Sequence, residues 1–185
     1  MQPISTTQDN SMNKTDLRVI KTKETMHNAL IELLHEKPFD EISAKDVIEK
    51  ARVNRTTFYR YYSGLVSLVD EVIGDVKHEF AQMLANENCQ TEQVFADFLN
   101  SRHKISALWK IHSRRYALYD DMHQMLRTAF ADELVKNKMA GHSVHYQAFM
   151  CASVCMESLR YAILYNEPMS LKQTSEDIKM LASLF

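Results

Sequence analysis

Residues 39–73 read FDEISAKDVIEKARVNRTTFYRYYSGLVSLVDEVI, and the fold turns on this stretch. Ser43 is suited to cap a helix, because its side-chain oxygen can take one of the free backbone N–H groups of a first turn. Residues 44–51 then read as a short helix burying Val47 and Ile48. Arg52-Val53 make a turn. Asn54 caps a third helix that runs to about Tyr61, and Ser63-Gly64 break the pattern. Two short helices across a tight turn, with a longer helix ahead of them, make a tri-helical helix-turn-helix.

The second short helix is an unusual choice for a core element. Only Phe58, with Tyr62 just beyond, reads as obligatorily buried. Asn54, Arg55, Thr56, Thr57, Tyr59, Arg60 and Tyr61 offer amide, guanidinium, hydroxyl and phenol groups. Such groups can meet phosphate oxygens, and Arg and Asn can also read base edges in a major groove. The plain alternative is an exposed polar helix with no ligand.

Outward from this segment the pattern stays helical. Upstream, a helix starts near Thr15 or Asp16 and buries Val19, Met26, Ala29, Leu30, Leu33 and Leu34 at helical spacing. It ends near residues 35–37, since Pro38 disfavours helical geometry in the residue before it. Residues 1–13 are polar and read as a flexible arm. Downstream, an amphipathic helix covers residues 65–84, with Leu68, Val69, Val72, Ile73, Val76, Phe80 and Met83 on one stripe. Further helices are expected at about 91–101, 104–112, 114–135, 143–165 and 171–184. Ser170 and Gln173 form a capping-box pattern for the last of them.

Three Gly and three Pro in 185 residues leave few tight turns, and no period-two run of β-branched residues marks a strand. The fold class is therefore all-α: an N-terminal three-helix helix-turn-helix domain, residues 14–63, followed by a helical bundle, residues 64–185. The net charge is −2; the first 62 residues carry ten Lys/Arg against nine Asp/Glu. A sharper local feature is Lys14, Arg18, Lys21 and Lys23, opposed over that stretch by Asp16 alone. Such a cluster can meet phosphates or be a solvated helix face. The residues before Asn13 lack the apolar core of a signal peptide, and no apolar run approaches the ~20 residues that span a bilayer. A cytoplasmic chain with reduced thiols and no membrane partner is expected.

From about Lys21 to Ile73 the chain resembles the DNA-binding domain of the tetracycline-repressor (TetR) family. The matching residues are Ala29 and Leu30, the connection Lys37-Pro38-Phe39-Asp40-Glu41-Ile42-Ser43, then Val47, Ile48 and Ala51. Most diagnostic is Val53-Asn54-Arg55-Thr56-Thr57-Phe58-Tyr59-Arg60-Tyr61-Tyr62, which looks like the family's recognition helix; Leu68 and Val72 match its fourth helix. The resemblance implies a transcriptional regulator, repression being the commoner habit. Ser43 and Lys45 would touch the DNA backbone, Arg55, Thr56 and Thr57 would face bases or adjacent phosphates, and Tyr59, Arg60 and Tyr61 would clamp phosphate. Two departures stand out. Arg52 occupies the turn position where the family usually has Gly, and a left-handed conformation there costs roughly 1 kcal/mol. Leu65 replaces a Lys that contacts phosphate, leaving backbone N–H groups at Ser63, Gly64 and Leu65 as substitutes.

One helix-turn-helix covers too little DNA to be selective, so two copies on a palindrome are expected. The resemblance implies that the last two helices pair across the dyad of a homodimer, where Phe149, Ala152, Ser153, Met156, Leu159, Ile163, Leu181 and Leu184 suit the packing. It also implies an effector pocket in the middle helices. The candidates there are Trp109, Tyr116, Tyr119, Met122 and Phe149, for a small apolar or aromatic effector; plain core is the alternative for each. A further alternative is an adaptor acting through a protein partner rather than a small ligand.

Other chemistries find little in the sequence. Cys151 and Cys155 lie four apart on one helix face, which allows a thiol sensor, but little nearby would lower a thiol pKa. His112, His123, His142 and His145 lack a zinc-type spacing, so no metal is expected. No Gly-rich phosphate loop, nucleophile elbow or HxxxH pair is present, so neither catalytic residues nor a cofactor are expected.

Overall fold

The computed structural model describes residues 9–85, 99–137, 143–167, 176 and 179–180. Every regular element among them is helical, as the scarcity of Gly and Pro requires. The chain divides into two compact units, Met1–Val72 and Ile73–Phe185.

The first unit opens with α1, Asp9–Glu36. This helix starts ahead of the Thr15 or Asp16 cap expected for it, and takes in part of the stretch read as a flexible arm. No Gly or Pro interrupts residues 9–37, so nothing stops the helix from growing backward into polar sequence. Met26, Ala29, Leu30, Leu33 and Leu34 are buried as the periodicity requires, while Val19, nearer the start, is half-buried. Pro38 is extended and leads into a 3-10 turn, Phe39–Glu41. Then come α2, Ala44–Lys50, and α3, Arg55–Tyr61, followed by α4, Leu65–Ala85.

Ser43 and Asp46 close a reciprocal cap on α2. The Asp46 N–H donates to Ser43 Oγ at 3.3 Å, and the Ser43 N–H donates to Asp46 Oδ2 at 2.7 Å. Lys37 reaches the same carboxylate at 3.2 Å. The Ser43 hydroxyl, the Ser43 N–H and the Lys37 ammonium lower the Asp46 pKa from 3.8 to about 2. A carboxyl with a depressed folded pKa contributes stability that is complete above its unfolded value and lost as pH falls toward the folded one. Asp46→Asn should therefore flatten the loss of stability between pH 4 and pH 2, read from urea melts across that range. An acid limb as steep as in the wild type would show that the cap does not hold in solution.

The α2–α3 turn is a Schellman motif. The Val53 N–H donates to Ile48 O at 3.2 Å and the Arg52 N–H to Glu49 O at 3.1 Å. That motif needs a left-handed residue after the cap, usually Gly, and Arg52 adopts it with φ of 51°. The two backbone bonds hold the strained residue in place.

A half-buried polar network joins α1 to α4 at the exit of α3. Lys23 Nζ sits 2.9 Å from Glu71, the Tyr62 hydroxyl donates to the same carboxylate at 3.0 Å, and His27 Nε2 is 2.8 Å from the Tyr62 oxygen. Burial pushes the Glu71 carboxyl up. Hydrogen bonds from Lys23 and Tyr62, with the charges of Lys23 and His27, outweigh this and hold it below the usual carboxylate range.

In the second unit, α5 spans Arg102–Leu108, α6 Leu118–Lys136 and α7 Val144–Tyr165. The helix expected from Arg114 begins only at Leu118, because a local turn competes with it. The Tyr116 N–H donates to Ser113 Oγ at 3.0 Å and Tyr116 itself is buried. Between α6 and α7, Tyr119 bonds Glu157 and His123 meets Ser153. Partners fall along one helix as they rise along the other, so the two run antiparallel. Their shared core includes Leu118, Met122 and Leu126 facing Ala148, Ala152, Met156 and Leu159. Ser143 caps α7 through the Tyr146 N–H, and Asn166 ends it in the left-handed conformation.

This burial corrects the residues expected across a dyad. Ala152, Met156, Leu159 and Ile163 are core of the chain's own unit and are not available to a second copy. Of the expected set Phe149 is exposed, as are Tyr146, Met150, Tyr161, Leu164 and Tyr165 on the same helix. Helix α7 is apolar on both sides, so periodicity alone could not tell inner from outer. Leu181 and Leu184, and most of the helix expected at 171–184, lie outside the described residues.

Candidate nucleic-acid interface

Helix α3 is held by one side and open on the other. Phe58 is fully buried, with its ring 5.3 Å from Tyr59 edge-on and 5.7 Å from Tyr62. Tyr62 follows the helix and is buried too, its phenol tied into the Glu71 network. About 100° per residue separates successive side chains, so anchoring at 58 and 62 turns Arg55, Thr56, Tyr59 and Arg60 outward. All four are exposed, whereas Thr57 and Tyr61 sit half-buried at the flanks.

The outer face is organised as well as open. Asn54 Oδ1 accepts the Thr56 N–H at 2.9 Å, which commits its oxygen to capping and leaves its amide nitrogen for a ligand. The Arg55 guanidinium lies over the Tyr59 ring at 5.5 Å, a stacking that pre-orients the planar fork. Lys45, on the first turn of α2, is exposed and among the described residues pairs only with Glu49, at 3.6 Å. Such a surface pair is worth little, so Lys45 can swing to a phosphate. The Ser43 hydroxyl is engaged with Asp46. The structure thus gathers Asn54, Arg55, Thr56, Tyr59 and Arg60 on one surface, with Thr57 and Tyr61 at its edges.

Two details were not read from the sequence. Asp46 orients Ser43, although Ser43-Ala44-Lys45-Asp46 is itself a capping-box pattern. At the start of α4 the Gly64 N–H donates to Ser67 Oγ at 3.3 Å, so one of the three N–H groups offered there in place of a lysine is already taken.

The effector candidates differ in burial and in their neighbours. Trp109 and Tyr119 meet edge-on at 5.3 Å. The Trp109 indole N–H is buried with no hydrogen-bond partner among the described residues. Burial, then the bond to Glu157, pushes the Tyr119 phenol up to about 12. Met122 and Tyr116 are buried, and Phe149 is exposed, with its ring edge-on to His123.

Comparison with known proteins agrees with this geometry. Residues 28–72 match the family described as bacterial regulatory proteins, tetR family, and the match stops where the first compact unit stops. The chain is also similar to the uncharacterized HTH-type transcriptional regulator YxbF of Bacillus subtilis (strain 168), at 36% identity over 56 residues. That alignment covers 30% of this chain and only 15% of the relative's length. A buried Phe58, a capped recognition helix with its polar face outward and a family match over the same residues lead to one conclusion: residues 28–72 form a helix-turn-helix head of the tetR-family type.

Proposed function

We propose that the protein binds a palindromic operator as a homodimer, acts as a repressor in the cytoplasm, and releases DNA when a small apolar or aromatic effector reaches its second unit. The outward polar face of α3 carries this reading. Four exposed side chains on one side of a short helix suit a major groove, and one buried ring on the other side fixes the angle at which they enter it. Support for the dimer comes from the exposed apolar side chains of α7, Tyr146, Phe149, Met150, Tyr161, Leu164 and Tyr165. Support for an effector is the orphan indole N–H of Trp109, a donor that a ligand acceptor would satisfy. No helix among the described residues is long and apolar enough to cross a membrane.

Selection of bound oligonucleotides from a random pool tests the reading. An inverted repeat should emerge; a pool that shows no enrichment after repeated rounds would sink it, and would favour an adaptor acting through a protein partner. Within the selected site, Arg55→Ala should lower affinity by roughly 5- to 150-fold, the worth of one bidentate base pairing, and by less on random duplex. Equal losses on both would make Arg55 a phosphate clamp and not a base reader.

A further inference from the structure

Arg18, Lys21 and Lys23 of the N-terminal cluster do not act together. Lys23 is committed to Glu71. Arg18 and Lys21 instead line an open cleft of about 490 Å3 between α1 and the α2–α3 turn, together with Leu17, Thr22, Thr25 and, from the turn, Ala51, Arg52 and Val53. Three of the eight lining residues are cations and none is acidic. Arg18, Lys21 and Arg52 are all exposed, and none has an ion-pair partner among the described residues. The threonine hydroxyls donate to the helix's own carbonyls, Thr22 to Arg18 O and Thr25 to Lys21 O. The donors left facing the cleft are therefore the three cations. The left-handed turn that places Arg52 here feeds directly into Asn54 and the reading face.

We propose that this cleft is a second anion site on the head, taking a backbone phosphate of the same duplex that α3 reads. The inference rests on the DNA reading above. It supplies the cationic grip that Leu65 does not provide at the start of α4, and it gives the arginine in the turn a role that offsets its strain. Charge complementarity and continuity with α3 favour a phosphate backbone over an acidic peptide.

The test is the salt dependence of full-length protein binding to a mixed-sequence duplex, followed by anisotropy. Arg18→Gln with Lys21→Gln, and separately Arg52→Asn, which keeps a residue tolerant of the left-handed turn, should each flatten the slope of log K against log salt. The expected change is about 0.9 for every phosphate that is no longer neutralised, with the sequence preferred in a selected pool unchanged. Lys136→Gln, in the second unit, controls for net charge and should leave the slope as it was. If the wild type binds duplex and Arg55→Ala relaxes its selectivity, yet the cleft variants keep the wild-type slope, the cleft is not a phosphate site and the DNA reading stands. An equal drop in the Lys136 control also overturns the cleft, because the effect is then one of overall charge. A wild type with no affinity for any duplex overturns both. Unchanged helical circular dichroism and melting in each variant separates these outcomes from misfolding.

Discussion

Monomeric, weakly bound protein is the expected product of Met150→Glu combined with Leu164→Glu. Both residues lie on the exposed side of α7, with Leu164 59% exposed, so neither change disturbs the core formed by Ala148, Ala152, Met156 and Leu159. In a two-fold pairing of α7 faces each substitution is repeated by symmetry. Four carboxylates are thereby brought into an apolar interface, where each must be desolvated beside others of its own sign. Sedimentation should show a single copy at concentrations where the proposed wild-type dimer forms. A lone head would grip only half of the proposed palindrome, and affinity for the selected site should fall by about 10^3-fold or more, toward the non-specific level. Thermal melting of the first unit should not change. A double variant that stays dimeric would place the dyad elsewhere.

The second large effect is on stability. Phe58→Ala should unfold the helix-turn-helix. Removing a fully buried phenylalanine typically costs about 3–5 kcal/mol, a major share of the roughly 5–15 kcal/mol that holds a small domain together. Phe58 is the buried residue of α3, and its ring packs against Tyr62, which carries the link to α4. The melting temperature of the head should fall by about 10 °C or more, and binding should vanish on every duplex alike. Tyr59→Ala provides the contrast. Tyr59 is its immediate neighbour and 46% exposed, so its loss should weaken DNA binding and spare the fold. If the two variants melted together, the inside and outside of α3 would have been assigned wrongly.

Much of the head was legible because its information is local. Ser43 and Asn54 cap where capping residues fall, Pro38 ends α1, and the Schellman turn sits where a left-handed residue had to be. The reading face follows from which residues of a seven-residue helix are polar. What escaped was set by distance along the chain or by competition. Lys23 and Glu71 are 48 residues apart, and His27 and Tyr62 35 apart; no spacing rule joins them. The start of α6 moved because the Ser113 hydroxyl captures the Tyr116 N–H. The sidedness of α7 was undecidable in principle, since hydrophobic periodicity shows that a helix has apolar faces without saying which one its own chain covers.

The Glu71 carboxylate has a mechanical consequence. It sits on α4 and grips the phenol at the foot of the reading helix, with Lys23 and His27 of α1 on the same grip. A hydrogen bond of about 3 Å tolerates only a fraction of an ångström before it fails. A swivel of α4 would therefore pull on Tyr62, and through it on the helix that carries Arg55 and Tyr59. Any rotation of α4 at Glu71 would thus be felt at the foot of the reading helix.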